Sequence, residues 1–158
     1  MKDLEKNQFK DGEGRVWSFR VTASHVLKIK QMYNFDVRDI ENADRVADLL
    51  DSPDLVIFDI MAMILMDQIE SRQLTPDCLF SSLDGDTVPE AILAFIYGSI
   101  FFFPLHRRKA AEMTVSLVLT NQSQSGYLLA EMLASPETVQ AMGQKMSQSM
   151  NQETKQKE

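Results

Sequence analysis

The residues from Val16 to Val21 alternate, with Trp17, Phe19 and Val21 on one side and Val16, Ser18 and Arg20 on the other. A period of two predicts a half-buried β-strand. Phe9-Lys10 lies before it, across Asp11-Gly12-Glu13-Gly14, whose two glycines can take the positive φ of a tight reversal. The pair therefore reads as a hairpin over 9–21. A two-stranded ribbon is marginal alone in water, so the Trp17 face is expected to lie against helices. The polar residues 1–8 ahead of it are expected to be flexible.

After the hairpin the period becomes helical. Thr22 or Ser24 can cap a segment carrying Val26, Leu27, Lys30 and Tyr33 at helical spacing, with Asn34 as its stop. Phe35-Asp36-Val37 connects to a short helix from Asp44 to Leu50. Ser52-Pro53 reads as a cap followed by proline at the first helical position. The helix it opens runs to about Ile69 and is apolar nearly all round: Leu55, Val56, Ile57, Phe58, Ile60 and Met61, then Met63 to Met66. Thr75-Pro76-Asp77 repeats the start signal ahead of Leu79, Phe80 and Leu83. Asp84-Gly85-Asp86 ends that helix, and Asp86 is expected to cap the next, which begins near Val88-Pro89-Glu90. Its apolar stretch, Ala91 to Phe103, closes at Pro104. His106-Arg107-Arg108-Lys109 leads a helix to about Leu119, and Asn121 to Gly126 reads as a polar break. Tyr127 to Leu133 gives a short helix, and Ser135-Pro136-Glu137 starts a last one. Residues 144–158, rich in Gln, Ser and Lys, are expected to fray. The fold class is mainly α, a helical bundle of six to seven helices with an N-terminal β-hairpin, in one domain over 9–143.

Composition adds limits to this picture. A chain of 158 residues with 44% apolar and 25% charged residues is one ordinary globular domain. Its net charge of −7 argues against a duplex nucleic-acid partner, which demands a basic face. The lone cysteine, Cys78, can form no internal disulfide, and the polar start resembles no secretory signal, so a reducing cytoplasm is expected. Ala91 to Leu105 carries no charge but is shorter than the roughly 20 residues a bilayer requires. Asp59 interrupts the other apolar helix. Helices greasy all round then belong at the centre of a bundle or beneath a self-associating surface, and a homo-oligomer with no membrane contact is expected.

The search for chemistry returns no enzyme. His25 and His106 have no metal-ligand spacing, and His25 reads as a partly exposed helix residue. Cys78 beside Phe80, without a basic partner at fixed spacing, reads as a small core residue. Asp84, Asp86 and Glu90 miss the calcium-loop pattern, because Thr87, Val88 and Pro89 fill its middle. Gly12 and Gly14 precede a strand and form no phosphate cradle. His106-Arg107-Arg108-Lys109 reads as a solvated corner. No metal, cofactor or catalytic residue is expected. After Pro136, Val139, Met142, Met146 and Met150 recur every three or four residues. That edge suits either docking on the chain's own core or varied apolar partners.

Three groups of residues carry a resemblance. The first is Phe9, Asp11, Gly14-Arg15 and Trp17, followed by a lysine-bearing helix and Phe35-Asp36-Val37. The second is Ser52-Pro53-Asp54-Leu55. The third is Thr75-Pro76-Asp77, Phe80, Leu83 to Asp86, Ala91, Ala94, Phe102-Phe103-Pro104 and Arg107-Arg108. In this order, from Phe9 to Leu119, the chain resembles small phage and prophage proteins similar to tail assembly chaperones, encoded near the tape-measure gene of long-tailed phages. The resemblance implies a non-enzymatic helper in the host cytoplasm. It would bind the apolar tape-measure protein, or another phage tail protein, and keep it soluble while the tail tube polymerises. Candidate contact residues are Phe95, Phe101 and Phe102, for which plain core is an equal alternative, with Met142, Met146 and Met150 resting on their spacing alone. The competing expectations are a structural virion or tail component, and a non-enzymatic adaptor using the hairpin as an exposed docking edge.

Overall fold

In a computed structural model, β1 (Gln8–Lys10) and β2 (Val16–Ser18) pair antiparallel with Phe9 opposite Trp17. The structure describes residues 4–134 with Gln140 and Gln144, and within 4–134 side chains as far as residue 125. Phe9, Trp17, Phe19 and Val21 are all buried, as the alternation requires. The reversal between the strands is held by Asp11. Its carboxylate accepts from the backbone N–H of Glu13 (3.0 Å) and Arg15 (2.9 Å), from Arg15 Nε (2.7 Å) and from Trp17 Nε1 (2.9 Å). Gly14, at φ 78, supplies the left-handed residue the turn requires. The residues expected to be loose reach into this unit. Gln8 belongs to β1, and Asn7 Nδ2 donates to the Phe19 carbonyl at 2.8 Å.

α1 (Ala23–Tyr33) starts at Thr22. The Thr22 hydroxyl accepts from the His25 N–H, and His25 Nδ1 accepts from the Thr22 N–H, a reciprocal cap. Asn34, at φ 51, closes the helix by donating its N–H to the Lys30 carbonyl. Its inward row differs from the expected one. Ile29 is buried between the half-buried Val26 and Tyr33, while Leu27 is 59% exposed. A 3₁₀ turn, Val37–Glu41, follows on an Asp36 cap and buries Val37 and Ile40. α2 (Ala43–Asp51) is capped by Asn42 and buries Val46 and Leu49.

α3 (Leu55–Ser71) begins later than Ser52-Pro53 suggested. The Ser52 N–H is taken by the Asp48 carbonyl, so Ser52 closes α2 and Pro53 lies in the link. α4 (Pro76–Ser81) opens as expected, with the Thr75 hydroxyl accepting from the Cys78 N–H and Pro76 in the first turn. α5 (Thr87–Ile100) is organised by Asp84 rather than Asp86. Asp84 Oδ1 accepts from the N–H of Asp86 (3.1 Å) and Thr87 (2.9 Å), whereas the Asp86 side chain makes no capping bond. α5 also stops three residues before Phe103, in a tightened turn where the N–H groups of Phe102 and Phe103 reach back three residues.

α5 is the central helix. Ala91, Ile92, Ala94, Phe95, Ile96, Gly98, Ser99 and Ile100 are buried, and the helix packs on β1, α2 and the 3₁₀ turn. Gly98 permits that approach, since a Cβ there would lie 2.5 Å from the Phe19 Cβ. β2 faces α3, where Gln68 serves as a surrogate strand. Its Oε1 accepts from Ser18 N–H (3.1 Å) and its Nε2 donates to the Ser18 carbonyl (2.7 Å). Arg72 donates to the Val16 carbonyl and lies 4.2 Å over the Trp17 ring.

α6 runs unbroken over Leu105–Ala134, so the expected polar break at Asn121 to Gly126 is helix, and Tyr127 to Leu133 continues it. Asn, Gln and Ser are only mildly unfavourable in a helix, the stretch contains no proline, and one glycine costs about 1 kcal/mol. The basic cluster at its start is more than a solvated corner. Arg107 forms a two-pronged pair with Glu41, and Arg108 Nε donates to the Phe103 carbonyl at 2.7 Å. The chain divides into two compact units, residues 1–118 and 119–158. The fold is mainly helical with an N-terminal hairpin, as expected. Among the described residues no helix is long and apolar enough to cross a membrane. The helix expected after Ser135 and the 144–158 tail lie outside them, apart from Gln140 and Gln144.

Candidate functional site

Unlike α5, α3 leaves one face open. Positions 59, 62, 63, 66 and 67 share that face by helical geometry. They are Asp59, Ala62, Met63, Met66 and Asp67. α1 contributes His25, Lys28, Met32 and Tyr33 on one side, and α4 contributes Pro76, Asp77 and Phe80 on the other. Together with Ile64 these line an open groove of about 640 Å³. Ala62 and Ile64 are buried in it, Met63, Met66 and Phe80 are half-buried, and Met32 is 65% exposed. Phe80 is held edge-on by Phe58, with ring centres 5.9 Å apart. Three unbranched thioethers and two aromatic rings make a surface that adjusts to apolar side chains of different shape.

The charges are lopsided. Asp59, Asp67 and Asp77 are exposed, and Lys28 is the one lysine or arginine among the lining residues. None of these four enters the ion pairs found among the described residues. His25 Nδ1 is engaged by the Thr22 N–H, and no group of three metal-binding side chains occurs among the described residues. Cys78 is exposed rather than part of the core, because the first turn of α4 points it outward beside its own cap. The Thr75 hydroxyl lies 3.3 Å from its sulfur, and hydrogen bonding from Thr75 lowers the thiol pKa. It does not line the groove.

The expected contact residues fall elsewhere. Phe95 is fully buried, edge-on to Phe19 at 5.8 Å between ring centres. It is a core residue and presents no surface to a partner. Phe101 and Phe102 are 49% and 37% exposed at the α5–α6 corner beside Leu105, at 80%. They do not line the groove. Met142, Met146 and Met150 lie outside the described residues. The hairpin edge offered to an adaptor's partner is already engaged at Ser18 by Gln68. Sequence reasoning missed the groove because Met63 and Met66 were absorbed into an all-round apolar helix. Asp59 and Asp67, eight residues apart on one face, were the available signal. Comparison with protein-family models, curated proteins and solved structures finds no match.

Proposed function

We propose that this protein is a non-catalytic binder of apolar helical segments, acting as a tail assembly chaperone that holds a tape-measure protein soluble in the host cytoplasm. The observation that carries the reading is the open, methionine-lined groove between α1, α3 and α4, where Met32 is exposed and Met63, Met66 and Phe80 are half-buried over the buried Ala62 and Ile64. A holdase requires such a surface, because an elongated coiled substrate exposes apolar helix faces until the tail tube encloses them. The ordered residue pattern from Phe9 to Leu119 supports the choice of substrate. Self-association belongs to the same reading, with Phe101, Phe102 and Leu105 as its apolar patch. Many weak grooves along one substrate then gain avidity.

Co-expression with a tape-measure protein of a long-tailed phage tests this. The expected outcome is a soluble complex that Met32→Glu with Met66→Glu disrupts while the variant itself stays folded. A tape-measure protein equally soluble without the partner overturns the reading.

A further inference from the structure

We propose that the α1–α3–α4 groove selects a basic amphipathic helix, one that carries two cations about two helical turns apart on either side of an apolar stripe. This rests on the groove being the docking site. Asp59 and Asp67 lie eight residues apart on α3, a rise of about 12 Å at 1.5 Å per residue. Met63 and Met66 lie between them on the same face. Asp77 adds a third carboxylate from α4, and Lys28 alone opposes them from α1. A helix laid along α3 with Lys or Arg at positions i and i+7 or i+8 would meet both α3 carboxylates while its i+3 and i+4 side chains cover the methionines. A helix with acidic residues at those places would meet like charges instead.

The groove walls decide against other occupants. All three walls are helices, so the groove offers no strand edge on which an extended peptide could add hydrogen bonds. Its carboxylates are exposed, so it lacks the buried polar anchors of a small-molecule site. The eight-residue spacing of Asp59 and Asp67, with Met63 and Met66 between them, matches about two turns of a docked helix.

The test uses the full chain and labelled synthetic peptides of about five turns. One carries a leucine stripe with lysines flanking it at the i and i+8 positions. A second has glutamates there, and a third moves the lysines to the opposite face at unchanged net charge. An exposed ion pair contributes up to about fivefold in affinity. The first peptide should therefore bind about tenfold more tightly than either control, and its advantage should fade as salt rises from about 0.05 to 0.5 M. Asp59→Lys with Asp67→Lys should transfer the preference to the glutamate peptide. Both sites are exposed, and an unchanged circular dichroism spectrum checks the fold. Equal affinity for all three peptides, absence of binding, or a preference that survives the charge reversal overturns the proposal. Lysine selection without any gain in tape-measure solubility upholds it and defeats the chaperone reading. A solubilised tape-measure protein with no lysine preference does the opposite.

Discussion

Asp11 concentrates more hydrogen bonding than any other side chain in the hairpin, and it is 4% exposed. Burial alone pushes its carboxyl pKa up. The bonds from Trp17 Nε1, the Arg15 side chain and the Arg15 N–H outweigh that and leave it below its ordinary value. Asp11→Ala leaves the buried Trp17 N–H without its acceptor and should cost about 2–4 kcal/mol, measured by urea unfolding. Asp36 is lowered to about 2 by the Arg38 guanidinium at 2.7–3.0 Å and the Arg38 N–H. A carboxyl depressed on folding adds stability that is complete above the unfolded pKa, 3.8 here, and is lost as pH falls through the folded value. Stability should therefore decline on acidification from about pH 5 towards about pH 2, and Asp36→Asn should flatten that slope. An unchanged slope in the variant would remove Asp36 from the account. The pattern of Gly14-Arg15-x-Trp17 was visible in the sequence, but the reason for it was not. A side chain that bonds two and four residues ahead and across to a tryptophan leaves no period to read.

At the scale of elements, the legible signals were those where a local bond and a local pattern coincide. Thr22, Asn34 and Thr75 sit where short-range geometry alone sets the helix end. Ser52-Pro53 misled because the preceding helix claims the Ser52 N–H first, and Asp86 misled because Asp84, two residues earlier, accepts from the Asp86 and Thr87 N–H groups while Pro89 has no N–H for an Asp86 cap to take. The inward row of α1 failed for a different reason. Leu27 is more apolar than its surroundings, yet the core lies on the Ile29 side, and only tertiary packing decides that. The unbroken α6 makes its own prediction. Ser123→Pro removes an N–H from the helix interior and sets the ring against the preceding turn, a cost of about 3 kcal/mol. Circular dichroism should show a clear loss of helix. A spectrum unchanged from the parent would restore the polar break between Asn121 and Gly126.

At the scale of the whole molecule, the groove and the α5–α6 corner are two apolar surfaces left open among residues 4–118, and the proposed roles of the two can be tested apart. The groove was legible only in fragments, since α1, α3 and α4 contribute to it from positions as distant as His25 and Phe80. The corner was legible residue by residue: Phe101 and Phe102 stood out, while Phe95, in the same stretch, turned inward against Phe19. What distinguishes them is helix termination. α5 ends at Ile100, so Phe101 and Phe102 escape its buried face, and Arg108 lies 5.9 Å from the Phe101 ring. Exposed rings and Leu105 at this corner are suited to meeting a second copy of the chain, whereas a methionine-lined groove is suited to variable helices. Sedimentation equilibrium should therefore give the parent a mass above the 18.0 kDa of one chain. Phe101→Ser, Phe102→Ser and Leu105→Ser together should return it to one chain while leaving peptide binding in the groove intact. Met32→Glu with Met66→Glu should do the reverse, abolishing peptide binding at unchanged mass. A parent that sediments as a single chain defeats the self-association reading. Loss of both properties in either variant would mean that the two surfaces work as one.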